Sequence, residues 1–205
     1  SGRGKMIAYK GFKEELTATY GKGAFQYEPG GHYVEGQSKT RKTGFHSAEY
    51  ILDCMNWYPL DGKNRFFQVE ASGSIDEEEG CSMVVSTELT LVKELTLPEI
   101  ALAAVRYMVE HPTREWEKRG IRLDAGRGHA RGTEQGSIAI ARGEHPVVIA
   151  KEGCVIGLVL ETENGIEGAY VRPVRKDGPV KPDTWYTMSK QGKLKSLSAS
   201  VASGY

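Results

Sequence analysis

The stretch TGFHSAEYILD, residues 43–53, carries a histidine behind Gly44 and Phe45 and ahead of a run that reads as the opening of a helix. An imidazole at such a junction can move a proton, touch a ligand or bond a nearby carbonyl. His46 is expected to hold the junction, with ligand contact as the alternative. His32, His111, His129 and His145 lack HxxxH or HExxH spacing, and Cys54, Cys81 and Cys154 are scattered with no CxxC. Neither a metal centre nor a disulfide framework is therefore expected. Asp76-Glu77-Glu78-Glu79 lacks the alternating oxygen ligands of a calcium loop and reads as a solvated turn. GRGHARG, residues 126–132, has neither the phosphate-loop spacing nor its strand and helix context. Its Arg127 and Arg131, with Arg119 and Arg122, offer a docking surface for an anionic partner. Phe25, Tyr27 and Tyr33 alternate along short strands, with Trp57 and Tyr58 after the expected helix, which places them in a core or, on an open face, in a groove for a base or peptide. No nucleophile elbow, Walker motif or dinucleotide fingerprint is present.

The elements that must position these residues follow from periodicity. KMIAYKGF, AFQYEPGGHYVEG, TGFH and NRFFQVEASGSI read as strands, with a turn at Pro29-Gly30-Gly31. SMVVSTELTLVKEL reads as a strand pair. Ser47 is expected to cap a helix through Asn56, with Tyr50, Ile51 and Cys54 on one face. Thr96, Pro98 and Glu99 open a second helix whose stripe of Leu97, Ile100, Ala101, Ala104, Val105, Met108 and Val109 ends at His111-Pro112. Past residue 120, Gly132, Gly143 and Gly153 follow Ala-Arg or Lys-Glu steps ten or eleven residues apart, which suggests stacked β-solenoid coils. Two hairpins follow, turning at Glu163-Asn164-Gly165 and Gln191-Gly192.

The expected fold class is α+β: a small mixed sheet with one long helix over residues 6–112, then a short β-solenoid with a hairpin cap over 120–195. Residues 1–5 and 196–205 are expected to be flexible ends. Apolar residues make up 39% and charged residues 26%, with no apolar run near membrane-spanning length, so a cytoplasmic protein is expected. Net charge is zero, yet both basic segments, 1–45 and 171–195, flank an acid-rich middle at 46–110. That polarity suits a protein partner or a homodimer better than nucleic acid, which needs a continuous basic surface.

YKGF at 9–12, FQYEPGGHY at 25–33, GFH at 44–46, YP at 58–59 and RFFQVEASG at 65–73 resemble a domain family of unassigned function that recurs in phage and prophage genomes. The glycine- and alanine-rich repeats followed by KPDTWY, 181–186, resemble the tail that often accompanies it. The order of the first domain is also distantly similar to that of small ADP-ribosyltransferases. That similarity implies Lys10 at the NAD ribose and adenylate side, where histidine or arginine is expected. It implies Ser47 at the strand-to-helix junction and Glu70, or one of Asp76 to Glu79, as the carboxylate facing the oxocarbenium-like charge.

Together these readings lead to a non-catalytic protein of phage or prophage origin that binds a host or phage protein, such as a component of a host defence system. No cofactor is expected on that reading. The alternatives are an ADP-ribosyltransferase using NAD, and a nucleic-acid binder acting through the basic segments.

Overall fold

In MIAYKGF the side chains of Ala8, Lys10 and Phe12 point inward and are almost wholly buried, while Ile7 stays exposed, as a period of two demands. The structure, a computed structural model, describes residues 2–18, 25–34 and 44–198. It divides into two compact units, residues 1–95 and 96–205. Among the described residues there are fourteen strands and two helices, so the fold is mostly β rather than the expected α+β. No described helix is long and apolar enough to cross a membrane.

The first unit contains β1 (Gly2–Phe12), β2 (Thr17–Ala18), β3 (Phe25–Gln26), β4 (His32–Val34), β5 (Phe45–Ala48), a short 3-10 helix (Ile51–Asn56), β6 (Arg65–Glu77) and β7 (Met83–Glu94). β6 pairs antiparallel with β1 along its length and with β7 on its other side. β5 then joins β7, with Ser47 opposite Val84, and touches β1 at Ala48–Tyr9. The four strands thus close a ring, and β4 extends it beyond β7. Inside lie Ala8, Phe12, Tyr27, Phe67, Val69, Leu89 and Leu91. The expected strand pair at 82–95 is one long strand, because its inward residues Leu89 and Leu91 serve a single face. Residues 2–5, expected to be loose, begin β1 opposite Ser72–Ile75.

The helix expected to start at Ser47 does not form there. Ser47 stays in β5, and only the tighter 3-10 turn of Ile51–Asn56 follows, with Tyr50 at its N-cap and no side-chain cap. Tyr50, Ile51, Leu52, Cys54 and Met55 are all buried, which a helix exposing one face to water would not allow. Ser82 replaces the missing cap. Its Oγ accepts from the Tyr50 amide at 3.1 Å and donates to Asp53 Oδ2 at 2.6 Å.

The second unit opens with α1 (Leu97–Glu110), which the sequence reading assigned to the first domain. Its capping box is complete: Thr96 Oγ1 accepts from the Glu99 amide, and Glu99 Oε1 accepts from the Thr96 amide. β8 (Lys118–Gly120), β9 (Leu123–Gly132), β10 (Ile138–Ala150), β11 (Val155–Thr162), β12 (Gly165–Pro173), β13 (Trp185–Met188) and β14 (Leu194–Leu197) form one seven-stranded sheet. β9, β10 and β11 are parallel, and the rest pair antiparallel. The β11–β12 and β13–β14 hairpins sit where the turn residues place them. Ser196 and Leu197, expected in a flexible end, belong to β14.

Solenoid coils are replaced by this mixed sheet. Ile138 lies opposite Leu123 and Val155, a longer step than the glycine spacing implies. The reason is two-sided burial. Val155–Leu160 is buried at every position, as in a strand covered on both faces. Ala139, Ala141, Ile156, Leu158 and Leu160 join Val174, Val180, Tyr186 and Met188 on one face. On the other, α1 comes so close that a Cβ at Gly157 would stand 2.9 Å from Ile140 Cγ1 and 3.2 Å from Val105 Cγ2.

Arg142 of β10 has no exposed surface. Its guanidinium donates to Glu161 Oε2 at 2.6 Å, to Pro112 O at 3.2 Å and to Met108 O at 3.4 Å, and lies 5.0 Å from the Trp116 ring centre. It therefore satisfies carbonyls at the end of α1 that have no helical partner. Arg142→Ala leaves Glu161 and those carbonyls without it. We expect a loss of about 3 kcal/mol, at the low end for a buried pair because Glu161 is partly exposed, measured by urea unfolding followed through tryptophan fluorescence.

Candidate functional site

One pocket of about 140 Å³ in the first unit gathers residues from four neighbouring segments. β1 supplies Tyr9, Lys10 and Gly11; β5 supplies His46, Ser47 and Ala48; the 3-10 segment and its exit supply Cys54, Trp57 and Tyr58, and Met83 completes the wall. The pocket lies at the seam where β5 meets β1. Tyr58 closes over Gly11, where a Cβ would meet Tyr58 Cβ at 2.9 Å, so only glycine lets the aromatic ring approach this strand. Trp57 is 49% exposed.

Lys10 is the electrostatic centre. Only 6% of it is exposed, and its Nζ donates to the His46 carbonyl at 2.8 Å. The Phe12 and Tyr27 ring centres each lie 5.8 Å from Nζ. Two aromatic faces and one carbonyl stabilise the ammonium in part, but no carboxylate among the described residues pairs with it. Burial consequently lowers its pKa from 10.5 to about 8, a shift that the nearby Cys54 opposes.

Its neighbours respond to the same surroundings. Burial pushes the Cys54 thiol up to about 12 despite the Lys10 charge, and Sγ donates to the Tyr9 carbonyl at 3.4 Å. This thiol stays protonated and is a poor nucleophile. Burial, and then the Lys10 charge, lower the His46 imidazole below its ordinary range, while Glu78 acts in the opposite direction. Ser47 is 2% exposed, and its Oγ has no hydrogen-bond partner among the described residues.

The structure brings Lys10, Ser47 and His46 together and leaves Glu70 out. Glu70 stands opposite Ile7, within 3.8 Å of Lys5 Nζ, and does not line the pocket. Tyr27 is a core residue, packed edge-on against Phe12 at 5.0 Å and against Tyr33 at 4.9 Å. The Tyr33 hydroxyl accepts from the Glu28 amide at 2.7 Å. The aromatics expected in a core or a groove are thus mostly core, with Phe25 39% exposed at the edge.

Arg127 lies over Trp116 at 5.5 Å and 3.9 Å from Glu161, and Arg131 over Trp185 at 4.8 Å. Arg119 pairs with Asp124 and Arg122 with Glu134. Local carboxylates therefore break up the expected cationic docking surface. No cluster of potential metal ligands occurs among the described residues. The sequence reading gave no role to Tyr9, Cys54 or Met83 at this pocket. The available signal was the inward series Ala8, Lys10, Phe12, which puts a lysine at a core position.

Residues 6–103 match the model of a family described as Domain of unknown function (DUF7666). The match contains every pocket residue. No curated protein and no solved structure matches the chain. None of these comparisons points to a phage origin or to an ADP-ribosyltransferase.

Two opposed shifts give the pocket a distinctive pH response. Between pH 8 and 10.5 the unfolded chain holds a proton on Lys10 that the folded protein has released, so stability rises with pH. Between pH 9.0 and 12 the unfolded chain has lost the Cys54 proton that the folded protein keeps, so stability falls. The net result is a rise from pH 8 to 9, a plateau to 10.5 and a fall beyond it. We expect the unfolding free energy to gain about 1 kcal/mol over the first interval. Lys10→Met should flatten that rise, and Cys54→Ala should extend it across the plateau, both read from denaturant titrations at stepped pH.

Proposed function

We propose that the chain is a binding protein that acts without catalysis and engages a protein partner at the Lys10 pocket. The observation that carries this reading is a buried ammonium, unpaired by any described carboxylate, beside a half-exposed tryptophan. Burying a lysine charge opposes folding, so Lys10 is not explained by stability. An incoming anionic group would supply the missing counter-charge, and an exposed indole at a pocket rim suits the anchor of an interface. The chemistry of the pocket is quiet. Cys54 is held as a thiol, and the Ser47 hydroxyl has no hydrogen-bond partner among the described residues to act as a base. The resemblance to phage-borne domains directs the search for the partner to host proteins, defence components among them.

The transferase reading draws support from Lys10 and Ser47 sharing one pocket. Against it, no aspartate or glutamate among the described residues lines that pocket, and the departure of nicotinamide needs a carboxylate near the anomeric carbon.

Capture from host lysate by wild-type protein, Trp57→Ala and Lys10→Met separates these readings. A partner retained by wild type and lost from both variants is the expected result. A partner held equally by all three would remove the pocket from the interface. Thermal protection by millimolar NAD that disappears in Lys10→Ala would replace binding with the transferase reading.

A further inference from the structure

Given the binding reading above, the pocket also specifies what it binds. Lys10 Nζ has three donor hydrogens, and among the described residues one of them is used, on the His46 carbonyl. Ser47 Oγ, on the adjoining strand β5, is buried and has no partner among the described residues. An unpaired buried hydroxyl is costly unless a ligand or water takes it. These two groups belong to residues of the two strands that frame the seam, and both residues line the same cavity. Around them the wall is apolar: Ala48, Met83, Trp57 and the ring of Tyr58.

The pocket volume of about 140 Å³ corresponds to roughly five water-sized groups at about 30 Å³ each. That is room for a two-oxygen head and two or three carbons. One positive charge with one hydroxyl matches one negative charge spread over two oxygens. A phosphate brings up to a second charge and further oxygens, yet among the described residues no arginine lines the cavity and no helix starts at it. An acidic head alone would leave the apolar wall in water, so the head must carry a short hydrocarbon stem.

We propose that the Lys10 pocket takes a monocarboxylate on a short apolar stem, with one oxygen on Lys10 Nζ and the other on the Ser47 hydroxyl. Two sources present this group: a free short-chain acid, and the terminal carboxylate of a protein ending in a small apolar residue. The terminal source is the one that joins this site to a protein partner.

The test titrates the full chain, followed by protein NMR, with butanoate, butanamide, inorganic phosphate, and a capped pentapeptide ending in valine as free acid and as amide. Butanoate or the peptide acid should bind, and the matching amide should bind about tenfold more weakly or worse. Lys10→Met should abolish binding, while Ser47→Ala, which removes one oxygen from a folded site, should weaken it by about tenfold. Binding of butanoate without the peptide identifies a free acid as the source; the reverse identifies a chain terminus. Equal binding of acid and amide overturns the proposal, as does binding of phosphate in place of both acids. Silence from all probes at millimolar concentration also overturns it. The binding reading itself is judged separately, by whether lysate capture depends on Trp57 and Lys10 and by thermal protection with NAD, so the two failures are distinguishable.

Discussion

The first unit depends on how a lysine charge is accommodated at the seam between β1 and β5. The two strands share one register pair, Tyr9 with Ala48, and Lys10 adds the side-chain bond to the His46 carbonyl. Elsewhere in the ring β1 to β6 and β6 to β7 are joined by long antiparallel ladders, and β5 to β7 by four register pairs. β5 is four residues long, and it alone turns an open three-stranded sheet into a closed one. Inward alternation in β1 makes burial of position 10 unavoidable once Ala8 and Phe12 enter the core. The ammonium must then find oxygen or aromatic partners inside, and it finds one carbonyl and two rings.

The second unit handles a buried cation differently. Arg142 has a carboxylate within 2.6 Å, two carbonyls and an indole face, so its planar fork is largely satisfied from within the fold. Lysine offers a compact charge, and no carboxylate among the described residues pairs with it here. Arg142 Nε has no partner among the described residues, but its charge is paired with Glu161, whereas no described carboxylate pairs with Lys10. Arg142 ties the end of α1 to the sheet; Lys10 holds a seam and leaves hydrogen-bonding capacity at a cavity.

Local signals in the sequence gave the helix at 97–110 and the two late hairpins, because a capping box, an apolar stripe and glycine turns act over a few residues. Non-local pairing was not legible. VIGLVL reads equally as a coil of a solenoid or as the centre of a sheet, and only the approach of α1 to Gly157 decides between them. The Ser47 helix failed for a related reason. A serine before an apolar run is a sound cap signal, but β7 claims Ser47 as a ladder partner, and Ser82, distant in sequence, takes over the capping. Of the candidate site, Lys10 and Ser47 were reached by resemblance and His46 by its junction. The carboxylate at Glu70 was misplaced because strand alternation gives a face without telling what lies across it. Arg142 was invisible, since a lone arginine among glycines gives no sign of being buried.

The shortness of β5 has a mechanical consequence. Residues 45–48 carry His46, Ser47 and Ala48 into the cavity wall and also complete the circle of strands. Detaching them from β1 would unmake the cavity and break the circle in the same event. Any guest held between Lys10 and Ser47 would therefore act as a rivet across the join, slowing hydrogen exchange in β1 and β7 well away from where it sits. Occupancy and wholeness of the ring become one equilibrium observed from two sides.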